Sequence, residues 1–198
     1  LWLPVPYNVS FKLVAVYGLA SLPVAAWAFG QVTDLPFPGP PMLAVASLFF
    51  LYNREPQLNS GTGNIIGGNM ASTMAGEFAF SISVSFCVLY LGMLIRGLRT
   101  GRHSATTAVL LTLCGLCHII PAFFALFCTA VALVVYPGLS RLRWAVPTLT
   151  VSGLLSAFWV VPFVTRHALV NDMGWERLPA PGAKELDGST AQTIWSYL

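Results

Sequence analysis

The chain has 198 residues, of which 56% are hydrophobic and 9% charged, against about 25% charged in ordinary soluble domains; this excludes a soluble globular domain and marks a membrane protein. A net charge of +3, with the basic residues in short clusters and not in a continuous stripe, leaves no footprint for nucleic acid, and no such partner is expected. The 10 basic and 7 acidic residues all fall outside five windows, 13 to 33, 35 to 53, 78 to 95, 104 to 140 and 144 to 165, each reaching the roughly 18 apolar residues of a candidate span.

Residues 1 to 10, LWLPVPYNVS, mix Trp2, Tyr7 and two prolines in the manner of a membrane interface. No charged segment precedes a cleavable apolar core, so no signal peptide is expected, and the opening residues read as the interior of a longer chain. Lys12 precedes a first span over about 13 to 30, which tolerates Pro23 because neighbouring helices can satisfy the freed carbonyl. The connection TDLPFPGPP, Thr33 to Pro41, breaks the helix and forms a rigid turn. A short second span over about 42 to 53 follows. The third span is expected over about 70 to 95, with Ala75, Ala79 and Ser83 forming a small-residue face for helix contact. Arg96, Arg99 and Arg102 then end it, and the positive-inside rule makes the loop 96–103 cytoplasmic.

Window 104 to 140 is too long for one pass, since a single helix would run roughly 55 Å at about 1.5 Å per residue against a hydrocarbon core of about 30 Å. It reads as a hairpin of two short helices broken at His118 to Pro121. The hairpin returns Arg141 and Arg143 to the same side, so loop 138–144 is cytoplasmic, and loop 54–77 is external. A fifth span, about 145 to 165, delivers the chain outside. The expected fold is therefore all-α and polytopic, with about six transmembrane passes. Residues 1–165 form a transmembrane helical domain and 166–198 an external polar loop.

The stretch NIIGGNMASTMAGEFAFSISVS, Asn64 to Ser85, carries the densest chemistry. Gly61, Gly63, Gly67 and Gly68 permit backbone angles that side chains resist, so a ligand or another backbone can approach. Asn69, Ser72 and Thr73 are all good N-caps for the following helix. Glu77 sits near that helix start, where the dipole favours negative charge; the same fact explains a carboxylate there without any function.

Three other motifs stand out. Cys114-Gly115-Leu116-Cys117-His118 matches the pattern that attaches haem covalently, but it lies in an apolar helix, where attachment has no accessible chain, and the sequence also places Cys87 and Cys128 in spans as small hydrophobes. Haem is therefore not expected. His118 is the ionisable side chain other than cysteine inside a long apolar window, and such groups face a cavity or a partner more often than lipid. Its bland alternative is a histidine satisfied by a neighbouring carbonyl. In NDMGWE, Asn171 to Glu176, Asp172 and Glu176 flank Trp175, a set able to hold a divalent cation or sugar hydroxyls with the indole against an apolar sugar face. On spacing alone, a solvated loop with an interfacial tryptophan is the preferred reading. The arginine clusters follow from topology, with anionic lipid as an added contact.

The segments GGNMASTMAGEFAFSISVS (67 to 85), GLCHIIPAFFAL (115 to 126), LLSAFWVVPF (154 to 163) and NDMGWE (171 to 176) together resemble a family of large actinobacterial multi-spanning proteins labelled pyruvoyl-tetrahydropterin-synthase-related. That family in turn resembles the GT-C membrane glycosyltransferases, which take a sugar from a polyprenyl-phosphate carrier on the outer face. The resemblance implies a GT-C-like fold and a donor of polyprenyl-phosphate sugar, with an envelope glycan or lipid as acceptor. It implies that Glu77, Asp172 and Glu176 line the outer cavity with His118 beneath them. Glu77, Asp172 and His118 are then the catalytic candidates, Asn69, Trp175 and Glu176 the candidates for binding substrate, and Glu77 with Asp172 the pair for any divalent cation. Arg54, Arg166 and His167 are candidates for the phosphate on charge alone. The GT-C carboxylate of the first external loop has no counterpart in these residues and is expected upstream of Leu1. The competing expectation is a non-enzymatic envelope transporter or assembly subunit, for which short helices, a broken hairpin and an intramembrane histidine are also suited.

Overall fold

The structure, a computed structural model, describes residues 6–52, 67–74 and 76–166. Among them it is all-α, with no strand: α1 (Tyr7–Val32), α2 (Gly39–Leu51), α3 (Met70–Met74), α4 (Phe78–Thr100), α5 (Ser104–Cys117), α6 (Ile119–Val135) and α7 (Leu139–Thr165). Helices α1, α4 and α7, of 26, 23 and 27 residues, are long and apolar enough to cross a membrane. Helices α2, α5 and α6 have 13, 14 and 17 residues. At about 1.5 Å per residue they reach about 20, 21 and 26 Å, short of a hydrocarbon core of about 30 Å. Of the six expected passes, three thus have full length.

The chain divides into two compact units, Leu1–Phe158 and Trp159–Leu198. In the second, the described residues are the last turns of α7, where the rings of Trp159 and Phe163 lie 6.4 Å apart, and Arg166, whose N–H donates to Pro162 O at 2.9 Å. The first unit is organised around α4.

Side-chain contacts fix the direction of each helix against α4. On α1, a Cβ added at Gly18 would stand 2.6 Å from Ser81, Gly92 faces Phe29, and Arg99 Nη1 donates to Thr33 O at 3.1 Å. Helix α1 therefore runs parallel to α4, and small residues let the two backbones approach closely. Gly30 receives Pro40, so α2 starts beside the end of α1 and returns antiparallel to it. Helix α5 is antiparallel to α4, because Ser83, near the start of α4, donates to Cys114 O near the end of α5 at 2.8 Å. Helix α6 is parallel to α4 again, with Tyr90 and Thr129 sharing a hydrogen bond at 2.6 Å. Helix α7 begins where α4 ends: the indole of Trp144 packs on Gly97, its Nε1 donates to Arg102 O at 2.9 Å, and farther along Thr112 Oγ1 donates to Ser152 Oγ at 3.2 Å. The core gathers Cys87, Tyr90, Leu94, Leu98, Leu111, Cys114, Ala125 and Trp144 around α4. Phe123, Phe127 and Val134 on α6 are exposed, an outward face suited to hydrocarbon.

Several expectations hold. The proline connection does break the helix, and α2 extends back into it, starting at Gly39 with proline in its first turn, where a missing N–H costs nothing. The 104 to 140 window is a hairpin broken at His118, whose φ of −159° and ψ of 136° are extended.

Others are corrected. The third span is not one helix from 70 to 95: α3 ends at Met74, Gly76 adopts φ of 110°, and α4 starts at Phe78 with Glu77 as its N-cap. A positive φ cannot continue a right-handed helix, and glycine is the residue that takes it without strain. The helix runs past the first two arginines. Arg96 and Arg99 belong to α4, which stops at Thr100 on the left-handed Gly101, so the loop is shorter than 96–103. Their side chains explain the extra turn, since both reach carbonyls at the end of α1 (Val32 and Thr33) and their charge suits a helix C-terminus. Likewise α7 starts at Leu139 and includes Arg141 and Arg143, which shortens loop 138–144. Ser83, of the expected small-residue face, meets α5 through its bond to Cys114 O, and Ala75 lies outside the described residues. The small face that receives α1 is Ser81 with Ser85.

Candidate functional site

One end of the helical unit collects Arg96, Arg99, Arg102, Arg141 and Arg143. The opposite end holds α3, the start of α4 and the tip of the α5–α6 hairpin, and here the described candidate residues of this unit meet. Asn69 is fully buried and caps α3, its Oδ1 accepting from Ser72 N at 2.8 Å. Gly67 and Gly68 form the turn before it with φ of 83° and 78°, and a Cβ at either would stand 3.0 to 3.2 Å from the ring of Phe80. These two glycines thus admit aromatic side chains, Phe80 at both and Phe50 at Gly68; Gly61 and Gly63 lie outside the described residues. Gly67 N donates to Ser72 Oγ at 2.9 Å, closing the turn.

From this turn a ladder of buried hydroxyls descends between α4 and α1. Thr73 Oγ1 donates to Asn69 O at 2.9 Å and pairs with Ser81 Oγ. Ser85 Oγ lies 3.3 Å from both Ser81 O and Gly18 O and accepts from Ser21 Oγ at 2.9 Å. In a low-dielectric interior each of these groups needs a partner, and together they pin the short α3 to the long helices. The ladder was missed in the sequence. Its signal was there, since Ser81 and Ser85 are four residues apart on α4 and Gly18 and Ser21 three apart on α1, spacings that line one helix face.

Glu77 stands at the head of α4 with its side chain exposed and making no cap bond. Its backbone is held instead, its N–H donating to Ser72 O at 2.9 Å and its carbonyl accepting from Phe80 N at 3.1 Å. The carboxylate is therefore on a fixed backbone at a positive helix terminus. His118 is the extended residue between α5 and α6. Its Nδ1 accepts from Ile120 N at 3.3 Å, which caps α6 and leaves the ring proton on Nε2. The imidazole sits edge-on to Phe80, centroids 4.8 Å apart, and Ser83 Oγ reaches His118 O at 3.2 Å. Phe80 thus lies between the Gly67–Gly68 turn and His118, one turn below Glu77.

This arrangement offers an exposed carboxylate able to take a proton or hold a hydroxyl, with an imidazole Nε2–H donor at the same end. Arg166 belongs to the second unit. Arg54, His167, Asp172, Trp175 and Glu176 lie outside the described residues, and so does Ala75. Among the described residues no group of three His, Cys, Asp or Glu side chains is arranged to hold a metal; the pairing of Glu77 with Asp172 around a divalent cation involves a residue outside them. Within the haem-like motif, Cys114 is fully buried against Ser83, and all four cysteines are unbridged.

Among the described residues there are seven helices, three of them apolar and long enough to span a bilayer, the pattern of a multi-pass membrane protein. The chain matches no family model, no curated protein and no solved structure.

Proposed function

We propose that this chain is a membrane glycosyltransferase, or the membrane domain of one, that uses a polyprenyl-phosphate-linked sugar in cell-envelope glycan assembly. The observation that carries this reading is the position of Glu77, an exposed carboxylate on a fixed backbone at the end of the bundle opposite all five clustered arginines. By the positive-inside rule the arginine end is cytoplasmic, so Glu77 and His118 face outward, where lipid-linked sugars are consumed in the family that the motifs resemble. A groove of about 320 Å³ between α4 and α6, lined by Phe80, Val84, Leu91, Ile120, Pro121 and Phe124 among others, is wholly apolar. It begins beside His118 and suits an isoprenoid tail.

The chemistry is attack of an acceptor hydroxyl on the anomeric carbon. The new C–O bond forms as the bond from that carbon to the carrier phosphate breaks, and the hydroxyl proton passes to a carboxylate acting as base. Glu77 is the described candidate for that base, and Asp172 is the second. A divalent cation or arginine at the departing phosphate would stabilise its charge, with Arg54, Arg166 and His167 as the basic candidates.

A transporter would need a polar path through the bundle. The hydroxyl ladder stops at Ser21 and Ser85, and beyond it Gly92 of α4 closes on Phe29 of α1, which favours a site open at one end. The test is transfer of labelled sugar from polyprenyl-phosphate donors by the purified protein. Glu77→Gln should lower the rate by about 100-fold or more, the range of a lost acid–base group. Full activity in that variant would remove Glu77 from the chemistry, and no transfer from any polyprenyl donor would sink the enzyme reading.

A further inference from the structure

The opposite end of the unit holds a second feature that glycosyl transfer does not use. Between α4, α6 and the first turn of α7 lies a groove of about 360 Å³ lined by Ile95, Leu98, Arg99, Ala132, Tyr136 and Arg141. Helices α4 and α6 run parallel here. Ile95 lies one turn before Arg99 on α4, and Ala132 one turn before Tyr136, the residue that caps the end of α6. Ile95 and Ala132 therefore lie one helical turn deeper in the bundle than Arg99 and Tyr136, with Leu98 beside Arg99, the order of polarity in a leaflet.

Both guanidinium groups are held in place. Arg99 Nη1 donates to Thr33 O at 3.1 Å, and Arg141 Nη1 donates to Pro137 O at 3.1 Å while its guanidinium carbon sits 5.7 Å from the centre of the Tyr136 ring. Each bond uses one of five N–H donors, and a planar fork that is already positioned loses little freedom on binding an anion. Among the described residues this end carries five arginines, Arg96, Arg99, Arg102, Arg141 and Arg143, against one carboxylate, Asp34. The charge is uncompensated where the groove opens.

We propose that this groove binds an anionic phospholipid of the surrounding leaflet, its phosphodiester between Arg99 and Arg141 and one acyl chain along Ile95, Leu98 and Ala132. Charge complementarity selects the occupant. A zwitterionic phospholipid has the same tails and phosphate, but its ammonium cancels the charge that the arginines would meet. The inference stands on this end of the unit alone and does not depend on the glycosyltransferase reading.

Native mass spectrometry of the purified protein in detergent, with phosphatidylglycerol and phosphatidylcholine at equal concentration, tests it. The protein should retain phosphatidylglycerol preferentially. Arg99→Gln together with Arg141→Gln should lower that retention by about 25-fold, about fivefold for each arginine. Arg143→Gln, an exposed arginine of the same end that does not line the groove, should leave it unchanged. Ala132→Phe, which fills the apolar half without changing charge, should lower it too. Equal retention of the two lipids would overturn the proposal. So would a loss in Arg143→Gln as large as in the double variant, which would mean diffuse attraction, or displacement by inorganic phosphate at the lipid's concentration, which would mean a small-anion site. If the double variant does not fold, the lipid preference of the unaltered protein and the Ala132→Phe result decide the matter.

Discussion

Gly97 shows how a single atom governs the packing of this chain. The indole of Trp144 occupies the space where a Cβ at position 97 would stand, whereas nothing lies within 4 Å of a Cβ at Gly153. Gly97→Ala should therefore destabilise the protein by about 1–3 kcal/mol, the cost of forcing a ring out of a filled core. Gly153→Ala should leave stability unchanged or raise it by up to about 1 kcal/mol through helix propensity. Thermal unfolding in detergent checks both. His118 poses a different question, because one imidazole carries a structural duty and a proposed chemical one. His118→Ala removes the α6 cap and should cost about 0.5–2 kcal/mol. His118→Asn retains an acceptor for Ile120 N and should keep most of that stability. If the imidazole also acts on substrate, the asparagine variant should fold normally and still lose sugar transfer; normal transfer would leave His118 with capping alone.

At the level of elements, the short α3 is the unusual piece, since five residues form no stable helix alone. It is held by the hydroxyl ladder, in which Thr73 pairs with Ser81 and Ser85 with Ser21. Ser81→Ala should cost about 0.6–1.7 kcal/mol, the range for hydrogen bonds between membrane helices, and hydrogen exchange should speed up in α3 before it does in α4 or α5. Uniform acceleration through the unit would mean that the ladder does not anchor α3 specifically. The hairpin break was legible in the sequence, because an apolar window too long for one pass and too short for two full ones must fold back where histidine and proline stand. The division of the third span was not. Gly76 and Glu77 lie in an otherwise continuous pattern, and only the folded chain shows the glycine taking a conformation that ends α3.

At the scale of the molecule, every clustered arginine lies at one end of the first unit, although the arginines come from α4, its following loop and α7. Orientation is therefore a single question with a direct test. In a background with the four native cysteines replaced, Gly101→Cys and Pro137→Cys should be labelled by an impermeant maleimide from the cytoplasmic side and Glu77→Cys from the outside. Labelling of all three from one side would remove the topology on which the outward-facing site depends.

The sequence by itself determined that the chain is helical, that its helices are apolar, where the proline connection and the hairpin fall, and that the arginines share a side. These properties follow from composition and spacing along the chain, because apolar length and charge placement are one-dimensional quantities. Tertiary structure alone decided which small residues meet, Gly18 on Ser81 and Gly97 on Trp144, that Phe80 fills the space the glycine turn leaves open, and that Arg99 and Arg141 from distant helices share a groove. Each of those depends on how helices rotate and approach one another, which is set by the fit of whole faces and is not written in the spacing of any one segment.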